Sequence, residues 1–192
     1  MRYQIFGLGD PVFLICSEQK LLDEFDGTLI YYQVDDWNDE LSPWPAGPVF
    51  KNQAFGGNGQ DTLKQLLNIV DDLPFEVNHI YMAGYSLAGL FSLWSAYQDP
   101  RITRAASCSG SLWYPGWLDY ISKQNHLEKV YLSLGDLEAN TRNITSTVKD
   151  CTLKCKEHYS NSCDCFFEWN EGNHFRDADK RLLKGINYLI NK

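Results

Sequence analysis

Apolar residues recur along this chain with two different periods. Six short runs are apolar or nearly so and are bounded by turn residues: Val12 to Cys16, Leu29 to Val34, Ile80 to Ala83, Ile102 to Cys108, Val130 to Leu134 and Cys165 to Trp169. Runs of that length and composition predict strands held inside a sheet. Between them lie segments of helical period. Gln60 to Asp72 repeats Leu63, Leu66, Leu67 and Val70 on one face, and Asp177 to Ile190 turns Leu182, Leu183, Ile186 and Leu189 inward. Leu90 to Tyr97, Trp117 to Lys123 and Thr145 to Tyr159 read as further helices. Strands alternating with helices predict an α/β protein: a doubly wound, mostly parallel sheet with helices on both faces. A chain of 192 residues fits one domain, residues 1–192.

Two stretches interrupt this rhythm. After Val34 comes DDWNDELSPWPAGP, too rich in Pro, Gly and Trp for a long regular element. It leaves the carboxyl end of a strand, the edge at which open α/β sheets build their sites. The second is HIYMAGYSLAGLFSLWSAY, His79 to Tyr97, where an apolar strand runs through Gly84-Tyr85-Ser86-Leu87-Ala88-Gly89 into an apolar helix. A serine on so tight a strand-to-helix turn sits in a strained backbone conformation, so its neighbours at −2, +2 and +3 must be small. Here they are Gly84, Ala88 and Gly89. The turn lifts Oγ clear of the sheet and aims the N–H groups of the following helix at any negative charge developing beside it. A tight turn with a capping serine gives the same local pattern, so the chemical reading needs partners elsewhere.

GYSLAGLFSLW, together with SGSLWYPGW downstream and GNHF near the end, resembles the enterochelin-esterase-like branch of the α/β-hydrolases. The resemblance runs from about Tyr31 to the last residue. It implies a serine esterase whose nucleophile, acid and histidine arrive in that chain order. With only six strands visible, the fold would be trimmed at its N-terminal edge and would lack a cap domain.

A serine hydroxyl is a weak nucleophile at neutral pH and needs a base beside it. Of the four histidines, His79 opens the elbow strand at the far end of the sheet, His126 follows Lys123-Gln124-Asn125, and His158 lies in a charged helix. His174 alone occupies a loop directly after the last strand, where an α/β-hydrolase delivers its general base. The acid is expected after the penultimate strand, in Gly135-Asp136-Leu137-Glu138. Either Asp136 or Glu138 would serve. The resembled esterases favour Gly-x-x-Asp or Gly-x-x-Glu, which selects Glu138 and leaves Asp136 as a turn former. Two N–H donors must face the oxyanion; Leu87 supplies one, and Asp36 or Trp37 the other. Trp37, Trp44, Tyr85, Trp113, Tyr114 and Trp117 crowd the same edge. Of these, Tyr85, Trp44, Trp113 and Tyr114 are expected to grip the substrate, although rings so placed also plug gaps in a core.

Composition narrows the partners. A formal charge of −8 argues against nucleic acid and against an anionic membrane surface. No apolar run approaches a membrane span, and MRYQIFGLGDPVF lacks the form of a signal peptide. On that basis the six cysteines read as reduced thiols of a cytoplasmic protein, and Asn143-Ile144-Thr145 as an incidental glycosylation pattern. Cys151, Cys155 and His158 share a helix face near Cys163 and Cys165, but Cys163-Asp164-Cys165 suits tetrahedral closure poorly. Neither a metal nor a cofactor is expected, and the partner is a small-molecule ester. Three rivals stand beside the esterase: an acyltransferase with the same residues, a non-catalytic binding module on the same fold, and a thiol-bound metal or redox protein.

Overall fold

The computed structural model describes residues 2–191 apart from 18, 19, 23, 51, 52 and 124. Gln124, beside His126, therefore lies outside the described residues. Seven strands form the main sheet: β1 (Tyr3–Phe6), β2 (Val12–Cys16), β3 (Thr28–Tyr32), β6 (Ile80–Tyr85), β7 (Ile102–Cys108), β8 (Lys129–Gly135) and β9 (Asp164–Asn170). Their order is β1-β3-β2-β6-β7-β8-β9. All neighbours are parallel except β1, which runs antiparallel to β3 with Tyr3 opposite Tyr32. A separate antiparallel hairpin, β4 (Ala46–Phe50) and β5 (Gln53–Phe55), lies between β3 and the next long helix. The helices are α1 (Trp37–Glu40), α2 (Gly59–Asp71), α3 (Leu87–Ser95), α4 (Trp117–Tyr120), α5 (Val148–Ser160) and α6 (Ala178–Ile190).

The sheet is buried on both faces, so its strands alternate between two cores rather than between core and water. In β2, Val12, Leu14 and Cys16 join the larger cluster, while Phe13 and Ile15 join the smaller one. The larger cluster packs under α2, α3 and α5 through Leu66, Phe91, Trp94 and Cys155. Every residue of α3 is buried. Its two serines satisfy themselves on the preceding turn, Ser92 Oγ donating to Ala88 O at 2.8 Å and Ser95 Oγ to Phe91 O at 2.8 Å. The smaller cluster lies under α6, through Leu182, Ile186 and Leu189, and under Leu21, Leu22 and Phe25 of the connection from β2 to β3. Tyr31 Oη fastens that connection by accepting the N–H groups of Leu21 and Leu22.

Two departures from the sequence expectation have physical causes. The sheet has seven strands rather than six, because β1 is a four-residue edge strand whose half-exposed YQIF carries no clear period. The hairpin β4–β5 is missed because AGPVF reads as turn chemistry and pairs irregularly, with a register shift between Ala46 and Phe50. Boundaries elsewhere move by three residues at most, at the start of α3 (Leu87 instead of Leu90), the end of α4 (Tyr120 instead of Lys123) and the start of α5 (Val148 instead of Thr145).

Candidate active site

Parallel strands put all their carboxyl ends on one edge. There β6 ends at Tyr85, β7 at Cys108, β8 at Gly135 and β9 at Asn170, and the connections that follow deliver Ser86, Ser109, Glu138 and His174. Ser86 has φ 57° and ψ −122°, a conformation side chains rarely adopt. It is held there on both sides: its N–H donates to Cys108 O at 3.0 Å, and its carbonyl accepts from Gly89 N and Ser111 N. Gly84 is required by close approach, since a Cβ there would lie 2.2 Å from the Ala88 backbone. Among the described non-glycine residues only Ser86, Ser109 and Asp177 have positive φ, and all three border this edge. Strain of that kind persists only where surrounding contacts over-determine it.

Ser86 Oγ lies 3.0 Å from His174 Nε2, and His174 Nδ1 lies 2.8 Å from Glu138 Oε2. Glu138 is 6% exposed. Its second oxygen, Oε1, accepts from Ser109 Oγ at 2.7 Å, Gly135 N–H at 2.7 Å and the Arg181 guanidinium at 2.9 Å. Burial alone pushes this carboxyl up, but the hydrogen bonds from His174, Ser109 and Gly135 outweigh it and hold the group below the ordinary glutamate range. Asp136 takes a different course, accepting the Gly172 N–H at 2.7 Å and so bracing the turn that leads to His174. The two carboxylates that share one turn in the sequence thus face different partners.

Beside Ser86 is a cleft of about 380 Å³. Phe55, Leu87, Trp113, Val148 and Phe175 form its apolar wall, and Ser109, Ser111, Thr141 and Thr145 add hydroxyls. Asn38, in α1, closes one side. Leu87 is the first residue of α3, so its N–H is among those a helix leaves without an intrahelical acceptor. Of the two donors weighed in the loop after β3, Asp36 donates its N–H to Glu40 Oε1 and uses its carboxylate to cap α1. Trp37 begins that helix with its ring packed against the core, and it is Asn38 that lines the cleft.

The aromatic residues divide unlike the expectation. Trp113 lines the cleft. Trp44 and Tyr114 do not: Trp44 Nε1 donates to Pro115 O, Tyr114 Oη donates to Trp44 O, and their rings meet edge-on at 5.8 Å. They tie the loop after β3 to the loop after β7, and Trp117 is wholly buried, its ring stacked on Tyr120. Tyr85 sits behind the histidine, its hydroxyl donating to His174 O at 2.6 Å. Burial pushes that hydroxyl's pKa up, so it remains a donor across the neutral range.

The other histidines lie away from this edge. His79 Nδ1 pairs with Asp10 at the amino end of the sheet, His126 is exposed, and His158 packs against Tyr159. All six cysteines are free thiols, and Cys155 is buried in the larger core. Among the described residues no group of three or more His, Cys, Asp or Glu is placed to hold a metal ion, and no helix is long and apolar enough to cross a membrane.

No family model and no curated protein matches the chain. Solved structures do. An IroE-like serine hydrolase from Shewanella oneidensis superposes with a TM-score of 0.72 at 13% identity, covering 98% of this chain and 75% of that one. The enterobactin esterase FES from Shigella flexneri, in the presence of enterobactin, gives 0.68 at 17% identity over 96% of this chain, which spans 53% of its length. The siderophore hydrolase EstB from Aspergillus nidulans gives 0.62 at 14% identity, covering 98% and 89%. The chain therefore has the α/β-hydrolase fold of these structures, built on a mostly parallel seven-stranded sheet among the described residues.

Proposed function

We propose that this protein is a serine carboxylesterase that hydrolyses small or aromatic neutral esters through an acyl-enzyme on Ser86. The observation that carries the reading is the unbroken relay from Ser86 Oγ through His174 to Glu138, at 3.0 and 2.8 Å. Its fold neighbours are named as serine hydrolases and esterases, which supports the same reaction class. Ser86 Oγ attacks the ester carbonyl while His174 Nε2 takes its proton. The tetrahedral oxyanion is held by the Leu87 N–H, with the turn after β3, which reaches the cleft at Asn38, supplying the second donor. Collapse expels the alkoxide, which receives the proton from His174. Water then attacks the acyl-enzyme by the same route, releasing the acid and restoring the serine. Glu138 keeps Nδ1 protonated, so that Nε2 presents its lone pair to the serine, and balances the imidazolium formed in each half-reaction.

The pH profile tests the base. A neutral imidazole accepts the proton and an imidazolium cannot, so kcat/KM should rise with pH through one ionisation. His174→Ala should remove that limb along with the activity. An unchanged limb in the variant would mean that another group titrates.

The cleft sets the substrate class. Its only ionisable lining residues, among those described, are Glu138 and His174, both engaged in the relay. An acyl group bearing a carboxylate would lose its hydration there without gaining a cation, so p-nitrophenyl hemisuccinate should have a kcat/KM about tenfold or more below that of p-nitrophenyl butyrate or benzoate. The site should also work on dissolved esters without interfacial activation. Preference for the anionic ester, or for emulsified long-chain triglyceride, would overturn this part of the reading.

A further inference from the structure

The buried face of α6 carries a charge. Arg181, Gly185 and Leu189 follow one another at i, i+4 and i+8 on the stripe that packs against the sheet, and Arg181 is only 2% exposed. One guanidinium nitrogen lies 2.9 Å from Glu138 Oε1, 3.0 Å from Ser109 Oγ and 3.3 Å from Tyr85 Oη. The other donates to the carbonyls of Glu171 at 2.9 Å and Asn173 at 3.1 Å. Room for the group is left by Gly135, where a Cβ would stand 2.9 Å from the nitrogen that faces Glu138.

We propose that Arg181 is a positioning residue: it clamps Glu138 and the loop 171–174 into one unit and thereby sets the aim of His174 at Ser86. This rests on the relay proposed above. Three arguments carry it. Burying an ion pair is a poor way to gain stability, because an apolar residue of similar size does as well or better; a charge kept inside calls for another use. The contacts also run in two directions, one nitrogen to the acid and the other to the backbone on either side of Gly172, which a planar fork can do and an ammonium cannot. Finally, Oε1 is filled by Arg181, Ser109 and Gly135, so Oε2 is the oxygen left to meet Nδ1. Tyr85 completes the clamp by joining the guanidinium to the carbonyl of His174 itself.

The titratable groups around Arg181 are Glu138 after β8, Tyr85 ending β6, Cys108 ending β7, and His174 and Asp177 on the terminal loop; the Glu171 carboxylate turns outward to Arg176. The test compares full-length wild type, Arg181→Lys and Arg181→Met for kcat and KM on p-nitrophenyl butyrate, the pH profile, the melting temperature and fluorophosphonate labelling. Arg181→Lys should lower kcat about 100-fold with KM little changed, the scale of effect of a small misplacement of a reacting group. Its pH limb should stay in place, because the charge is kept. Arg181→Met should lose at least as much, and its limb should move to higher pH because Glu138 then faces the imidazole without a countercharge. Wild-type kcat in Arg181→Lys, or an unmoved limb in a folded Arg181→Met, would overturn the assignment. If Arg181→Met does not fold, the kcat of Arg181→Lys decides alone. Wild-type protein that fluorophosphonate leaves unlabelled at Ser86 would instead remove the relay on which the inference rests.

Discussion

Ser86→Ala is expected to lower kcat on a soluble p-nitrophenyl ester by about a million-fold while leaving the protein folded. The size follows from what is removed: the nucleophile is the only atom of the relay that forms a bond to the substrate, and water cannot occupy its place with the same aim. Activity should not fall to that of bulk water. The cleft and the oxyanion donors would remain, and these leave roughly a thousandfold of catalysis in serine hydrolases stripped of their relay. Stability should change little. The strained backbone at φ 57° is no harder for alanine than for serine, and Oγ makes its hydrogen bond to His174, which is itself one-third exposed. A variant that keeps activity within tenfold of wild type, at an unchanged melting temperature, would contradict the assignment of the nucleophile.

Exchanging the two neighbouring carboxylates for amides should have unequal consequences. Glu138→Gln is expected to lower kcat by up to about ten-thousand-fold. An amide NH₂ cannot accept from Nδ1–H, so the imidazole is driven to the tautomer in which Nε2 carries the proton and cannot take another from Ser86. The same change leaves the Arg181 guanidinium buried beside a neutral partner, which costs about 3–5 kcal/mol when a buried pair is broken. The melting temperature should therefore fall with the activity, and kcat must be referred to the folded fraction. Asp136→Asn keeps an acceptor for the Gly172 N–H and should cost about 1 kcal/mol or less, with kcat nearly unchanged. The reverse ranking in folded proteins would make Asp136 the acid.

What could be read from the residues, and what could not, follows the range of each interaction. The elbow was legible because its requirement is local: three small residues around Ser86 stand within five positions of one another. His174 was legible because strand order alone puts its loop at the right edge. Chain order could not separate Glu138 from Asp136, since both follow β8; only the Gly-x-x-Glu pattern of the resembled esterases favoured Glu138. Arg181 was missed because its partner is 43 residues away, and an arginine near the start of a helix looks like a solvated surface residue. The usable signal was its place on the apolar stripe with Gly185 and Leu189. Ser109 was passed over for the same reason, its role depending on a contact with Glu138 across 29 residues and on a positive φ that no neighbouring residue announces. The aromatic rings misled in a different way. Trp44 and Trp113 both lie in loops at the active edge, and only the pairing of those loops decides that one becomes scaffold and the other cleft wall.

The central claim is that one serine of this chain is a nucleophile activated by His174. The most direct measurement is reaction of the purified protein with a fluorophosphonate, followed by mapping of the adduct by mass spectrometry in wild type, Ser86→Ala and His174→Ala. One adduct is expected in wild type, on Ser86, with none in Ser86→Ala and labelling slowed by orders of magnitude in His174→Ala. An adduct on another serine, no adduct in active wild type, or full-speed labelling of His174→Ala would contradict it.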